Sequence, residues 1–341
     1  MAAAVSPLAV GAAPTPAELG ATPQEWLGRL GGPSLFRVPG RDRTRSRAVV
    51  TLLHGNEPSG IRACHRWLST GATPAVDTLF VLGAVAAAHR PPGFAYRMLP
   101  GSRDLNRCFR APFAGPEGAL AAAILAAIDA ARPEALIDLH NNTGHNPAYG
   151  VGTVVDAARL RLTSLFATRF VHSTIRLGAL TEAAAGLGAV TIECGRAGDP
   201  AADAVACAGL DAFLSAADLE LDAAPATAMT VLVDPVRVAV RQGVRIAFAE
   251  LPAAGVDFAL RSDIDRHNFE PLLPGAPVGS LAAGAPWPLV ARGADGEDVS
   301  RDYFVADGSL IVTRRAMVPI MMTTSVDAAL ADCLFYAARQ R

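Results

Sequence analysis

The sequence predicts an α/β fold: a mostly parallel mixed sheet with helices on both faces, followed by a smaller, mainly β C-terminal domain. Three observations carry this expectation. Short apolar runs of strand length alternate with helical stretches from about residue 48 to residue 219, the pattern of successive β-α units whose sheet is covered on both sides. Near Leu221–Ala228 the texture changes, and beyond it brief β-like runs are separated by Gly/Pro turns, as across Leu273–Ala285. The chain has 341 residues, 51% of them hydrophobic and 18% charged, enough to bury one large core and a smaller one. The expected divisions are an N-terminal arm and helix over 1–40, a main domain over 41–222 and a mainly β domain over 223–341.

The first clear helix start is Thr22-Pro23-Gln24-Glu25, with Thr as N-cap, Pro at N1 and Glu at N3, followed by the apolar stripe Trp26, Leu27 and Leu30. The Ala-rich residues before it lack a basic region and are interrupted by prolines, so they read as a loose arm rather than a signal peptide. Strands are expected at Ala48–Leu53, Thr78–Val85, Ala135–Leu139, Gly152–Val155 and Ala189–Glu193. Helices are expected at Ser59–Leu68, Pro116–Ala131 (stopped by Pro133), Ala157–Phe170 and Pro200–Leu219. In the C-terminal part the β-like runs are Met229–Val233, Val236–Val240, Arg245–Leu251, Leu289–Arg292 and Ser309–Thr313, and Val326–Ala338 reads as a closing helix.

A net charge of -2 gives no footing for nucleic acid or an anionic membrane. The chain has no lysine: all 30 basic residues are Arg, so a single surface Arg says little about function. Its 5 cysteines are an odd, unpaired set, expected to be free thiols of a cytoplasmic protein. No apolar run reaches the roughly 18 residues of a membrane span.

Chemistry concentrates where strands end, the usual place for a site on a parallel sheet. The first strand runs into His54-Gly55-Asn56-Glu57, and the strand over Leu136–Leu139 runs into His140-Asn141-Asn142-Thr143-Gly144. Two imidazoles and a carboxylate are a common catalytic zinc set with one position left open. A third strand end is Thr191-Ile192-Glu193-Cys194-Gly195, whose carboxylate suits a general base. Taken singly, each residue has an ordinary reading: a hydrogen-bonded structural His, a chance H-x-x-E, a Glu that caps a helix or pairs in a loop. Their coincidence at three strand ends brings a metal site level with these ordinary readings and leaves both open.

Four motifs sharpen this. His54-Gly55-Asn56-Glu57, Asp104-Leu105-Asn106-Arg107, Asp138-Leu139-His140-Asn141 and Ile192-Glu193-Cys194-Gly195, in this order, resemble the succinylglutamate desuccinylase/aspartoacylase family of the zinc-carboxypeptidase-like fold. The resemblance spans about residues 48–196 and matches no motif in the later β segment. It implies one zinc ion per chain held by His54, Glu57 and His140, with Glu193 activating a water. It implies that Arg107, with Asn106 and Asn141, binds the substrate and grips its carboxylate, a task suited to the guanidinium fork. A further family Arg polarises the scissile carbonyl; Arg97 fits this role, with Arg103 as the competing choice. The chain departs from the family at His89-Arg90-Pro91-Pro92, where Asn-Pro is common, and at Cys194, which reads as a packing residue. His145 reads as a surface loop residue.

The expectation is therefore an amidohydrolase acting on a small N-acyl amino acid, with no nucleic-acid or membrane partner and a homo-oligomer allowed. The rivals are a carboxypeptidase-type metallopeptidase and a non-catalytic binding protein on the same fold.

Overall fold

In the computed structural model, which describes residues 7–219 and 229–341, the chain divides into two units. The first runs to Asn141 and takes in Ala148–Phe170 and Arg176–Met229; the second comprises Asn142–Pro147, Val171–Ile175 and Thr230–Arg341. The boundary expected at 222/223 lies outside the described residues.

The first unit begins with β1 (Ala9–Ala12), α1 (Pro16–Leu19), α2 (Pro23–Leu30), β2 (Ser34–Val38), β3 (Asp42–Thr51), α3 (Ser59–Ser69), β4 (Val76–Leu82) and α4 (Val85–His89). It continues with α5 (Gly115–Ala131), β5 (Ala135–Asn142), β6 (Tyr149–Gly152), α6 (Ala157–Ser164), β7 (Arg169–His172), whose first half belongs to this unit, α7 (Leu180–Ala183), β8 (Ala189–Arg196) and α8 (Pro200–Ser215). The sheet has the order β1-β2-β4-β3-β5-β8-β6. Strand β3 is parallel to both β4 and β5, whereas β2 opposes β4 and β6 opposes β8. This is the mixed, largely parallel sheet expected.

Alternation along β3 explains why helices cover both faces. Ala48 and Val50 point into a core with Leu120, Ile124 and Ile128 of α5 and Leu136 of β5. Arg47 and Thr51 face the other way: the Arg47 guanidinium donates to the Phe213 carbonyl of α8, and Thr51 lies against Gly60 of α3. A Cβ on Gly60 would stand 2.1 Å from Thr51 Oγ1, so only glycine lets α3 seat this closely. Helix α5 stops at Arg132, whose φ of 45° turns the chain before Pro133.

In the second unit the elements are β9 (Thr230–Val240), β10 (Ile246–Phe248), β11 (Phe258–Leu260), β12 (Pro277–Leu281), β13 (Leu289–Arg292), α9 (Ser300–Tyr303), β14 (Phe304–Asp307), β15 (Leu310–Thr313), β16 (Val318–Ile320), α10 (Val326–Ala331) and β17 (Phe335–Gln340). Strand β9 pairs antiparallel with β13 and β17, and β17 with β16. Five further strands form a sheet in the order β10-β11-β12-β15-β14. The core of this unit is built on Val238, Phe258, Leu260, Phe304, Ile311 and Phe335, all fully buried.

Several elements differ from expectation. The closing helix stops at Ala331, and Phe335–Gln340 is a strand between β9 and β16. Leu334, Phe335, Tyr336, Ala337 and Ala338 are all buried; an apolar run of that kind suits a doubly covered strand as well as a helix, and the open edge of β9 decides between them. The expected helix over Ala157–Phe170 ends at Ser164, and its tail becomes β7. The stretch before Thr22 is not a loose arm where it is described: β1 adds parallel to β2. In α1 the Thr15 hydroxyl oxygen accepts from the Glu18 N–H, while the Glu18 carboxylate accepts from Thr15 N–H, a full capping box. The expected box at Thr22 is half made, because Glu25 reaches Ala21 N–H instead. The strand expected to end at Glu193 runs on through Gly195 to Arg196 as β8. Among the described residues no helix is long and apolar enough to cross a membrane.

Candidate metal and catalytic site

Strand β3 breaks at Leu52, whose φ of 56° swings the chain out of the sheet. The turn that follows carries His54 and Glu57. A Cβ on Gly55 would stand 2.6 Å from both Ala88 N and Tyr96 O, so the tight approach of the 88–97 loop requires glycine there. The same approach lets Gly55 N–H donate to the Arg97 carbonyl at 2.8 Å. Strand β5 does not break: His140 and Asn141 lie within its last residues.

These elements bring His54, Glu57 and His140 together, all buried. One ligand atom from each falls within 4.8 Å of the others, a set that could hold a metal ion. His54 Nδ1 is 2.7 Å from Glu57 Oε1, and His140 Nδ1 is 2.7 Å from Glu57 Oε2. Each imidazole turns its other nitrogen to a second carboxylate. His54 Nε2 is 3.1 Å from Asp104 Oδ1, and His140 Nε2 is 2.8 Å from Asp138 Oδ2. Nδ1 atoms facing one point and Nε2 atoms each held by a carboxylate are the arrangement of metal-bound histidines, and two imidazoles with a carboxylate suit zinc.

The charges here are strongly shifted. Burial works to raise the Glu57 pKa, but the His54 and His140 imidazoles outweigh it and hold the carboxyl below the usual range. Burial likewise opposes charge on His140, yet Asp138 and Glu57 raise it well above its ordinary value. Asp104 is held low against its burial by the bond from His54 and by the charges of Arg97 and Arg107. Glu193 behaves oppositely. Burial pushes it up to about 8, with Glu57 and Asp138 adding to the rise. Its Oε2 is buried without a hydrogen-bond partner among the described residues.

Arg97 reaches this cluster. Its Nε and Nη2 donate to Asp104 Oδ2 at 3.0 and 2.9 Å, and its Nη1 is 3.6 Å from Glu57 Oε1. Arg103 turns away and donates to the Ala114 carbonyl at 2.8 Å. Arg107 and Asn106 share the turn over Leu105–Arg107, with Arg107 half-buried. Asn106 Oδ1 accepts from Leu180 N–H at 2.9 Å. Both N–H donors of the Asn141 carboxamide are taken within the protein, by Ser59 Oγ at 2.9 Å and the Gly195 carbonyl at 3.1 Å. Asn141 therefore ties elements together, with both side-chain donors engaged within the protein.

Cys194 is buried, and burial holds its thiol well above the ordinary value, as suits packing rather than nucleophilic attack. His145 belongs to the second unit; its ring is half exposed, but Nδ1 is 2.6 Å from the buried Asp265 Oδ2. Sequence reasoning gave no role to Asp104 or Asp138. For Asp138 a signal existed: two residues before His140 on one strand, it must share the histidine's face.

Residues 44–208 match the model of the succinylglutamate desuccinylase/aspartoacylase catalytic domain. They belong to that family. Its members are zinc-dependent amide-bond hydrolases. Solved structures of several proteins share the fold. The succinylglutamate desuccinylase from Chromobacterium violaceum is 16% identical, with 89% of this chain and 88% of that chain covered and a TM-score of 0.58. The succinylglutamate desuccinylase/aspartoacylase from Rhodobacter sphaeroides is 15% identical, with 89% and 87% covered and a TM-score of 0.57. Murine aminoacylase 3 is 17% identical, with 89% and 97% covered and a TM-score of 0.51. No curated protein matches the sequence.

Proposed function

We propose that this protein is a zinc-dependent hydrolase that cleaves the amide bond of a small N-acyl amino acid. The observation that carries the reading is the convergence of His54, Glu57 and His140 on one point, beside a buried carboxyl, Glu193, whose Oε2 makes no hydrogen bond among the described residues. His54 Nδ1, His140 Nδ1 and a Glu57 oxygen would hold the ion. Zinc bound there supplies Lewis acidity and makes a water a competent nucleophile near neutral pH.

The chain's own groups then divide the work. Asp104 and Asp138 fix the tautomer and tilt of the two imidazoles. Glu193 is the proton carrier: it takes a proton from the attacking water and returns it to the leaving amine. Burial keeps it about 8, and a dication nearby would favour its carboxylate form, so the group sits close to the working pH in either direction. Arg97, whose guanidinium is bound to Asp104, would stabilise negative charge on the carbonyl oxygen as it develops. Arg107, with Asn106, is assigned to the carboxylate of the amino acid.

Zinc-loaded protein assayed against N-acetyl, N-succinyl and N-formyl amino acids beside short peptides tests the reading. Turnover of at least one N-acyl amino acid is expected, with about one zinc per chain in the wild type and little in His140→Ala. Peptide cleavage without deacylation would favour a carboxypeptidase-type reaction, and full metal content in His140→Ala would refute the ligand set.

A further inference from the structure

One hydrogen-bonded chain leads away from the cluster and ends near the surface, in residues that the proposed chemistry does not use. Asn141 N–H donates to Glu57 Oε2 at 3.2 Å, the oxygen that also faces His140 Nδ1. The Asn141 side chain makes three more bonds. Its Oδ1 accepts from Ser59 N–H at 3.0 Å, and its Nδ2 donates to Ser59 Oγ and to the Gly195 carbonyl. Ser59 Oγ in turn donates to Asp203 Oδ1 of α8 at 2.6 Å, and Asp203 Oδ2 pairs with Arg62 Nη1 at 2.7 Å. The Arg62 guanidinium also lies 5.7 Å from the ring centre of Phe94, in the loop that carries Arg97.

The direction of these bonds is forced. A carboxylate accepts and does not donate, so the Ser59 hydroxyl proton must point at Asp203. The hydroxyl lone pair is then free to accept from Asn141 Nδ2, and the Ser59 N–H requires the carbonyl end of the same carboxamide. Only one flip of Asn141 satisfies both, and that flip delivers its remaining N–H to the Gly195 carbonyl, two residues beyond Glu193. Ser59 and Asn141 are buried, so a misdirected bond in this chain would leave a polar group unpaired away from water.

We infer that Asp203 is a positioning residue for the metal-facing turn and strands, acting through Ser59 and Asn141 on Glu57 and on the last residues of β8, just beyond Glu193. The inference rests on the zinc reading above for what the turn and strands hold, but not for the chain of bonds itself. Substituting Asp203→Asn keeps the shape and spoils the direction. Arg62 would draw the new carbonyl oxygen, turning the NH2 group toward Ser59 and taking away the acceptor for its proton. Ser59→Ala removes the same link from inside, at a fully buried position where the smaller side chain fits.

The test compares wild type, Asp203→Asn, Ser59→Ala and Asp211→Asn. The last breaks the Arg66–Asp211 ion pair between the same two helices, 3.3 Å apart and not linked to Asn141 by any of the bonds above. Zinc affinity is measured by competition with a chromophoric chelator, and hydrogen exchange of the metal-free proteins is followed by mass spectrometry. Asp203→Asn and Ser59→Ala should each weaken zinc roughly tenfold, the lower end of what partners behind a metal ligand are worth. Both should speed exchange at 138–142 and 193–196, while Asp211→Asn matches wild type in both measurements. Unchanged exchange at those segments overturns the inference whatever zinc does, and so does an equal effect of Asp211→Asn. Faster exchange in both variants of a protein whose wild type binds no zinc would leave the positioning chain standing and remove the metal reading instead.

Discussion

Asp138 Oδ2 lies 2.8 Å from His140 Nε2, and the two residues stand two apart on one strand with their side chains on one face. Asp138 is fully buried, so it presents its charge to the imidazole with little screening by water. The pair leaves Nδ1 directed at Glu57 and fixes how the ring meets an ion. Asp138→Asn keeps the size and a hydrogen bond but not the charge, and should weaken zinc by about 10–100-fold. Chelator competition reads this directly; an unaltered affinity would show that the charge behind His140 plays no part.

Glu193→Gln removes the proton carrier and preserves the shape of the site. Folding and zinc content should match wild type. The loss should fall on kcat, by about 10²–10⁴, because proton transfer is made only in the transition state. Loss of zinc from this variant would instead make Glu193 a ligand, and full activity would assign the base elsewhere.

Arg107→Lys replaces a planar fork by a point charge, which cannot form paired bonds to a carboxylate. Its effect should appear as a higher KM for carboxylate-bearing substrates, with little change toward an analogue lacking that carboxylate. Equal kinetics on both substrates in the variant and the wild type would place the carboxylate away from Arg107.

The second unit offers a prediction of its own. Asp298 Oδ1 accepts from the N–H groups of Ala291 and Ser300 at 3.1 and 3.0 Å, and its Oδ2 pairs with Arg241 Nη2 at 2.8 Å. Burial works to raise this carboxyl, but these donors hold it down to about 2. A folded value below the unfolded one, about 3.9, contributes stability that is present above pH 4 and lost as pH falls toward 2. Asp298→Ala should therefore lower stability by roughly 1–2 kcal/mol at neutral pH, and the gap to wild type should narrow below about pH 4. Thermal melts from pH 7 to pH 3 decide it; a gap independent of pH would mean that the carboxylate charge plays no part.

The sequence by itself determined the α/β alternation, the switch to a β-rich second part, and the three strand ends that carry His54, Glu57, His140 and Glu193. Those are local facts: an apolar run, a turn residue and a polar cluster are adjacent in the chain. Tertiary structure decided whatever depends on partners distant in sequence. Phe335–Gln340 became a strand because β9 offered it hydrogen bonds, which no helical periodicity could reveal. Arg97 rather than Arg103 reached the cluster because Asp104 captured its guanidinium. Asn141, by sequence a neighbour of a metal-ligand candidate and so a candidate for substrate, had both donors consumed by Ser59 and Gly195, residues that lie 82 and 54 positions away along the chain. A side chain's bonding capacity is finite, and only the fold settles which partners claim it first.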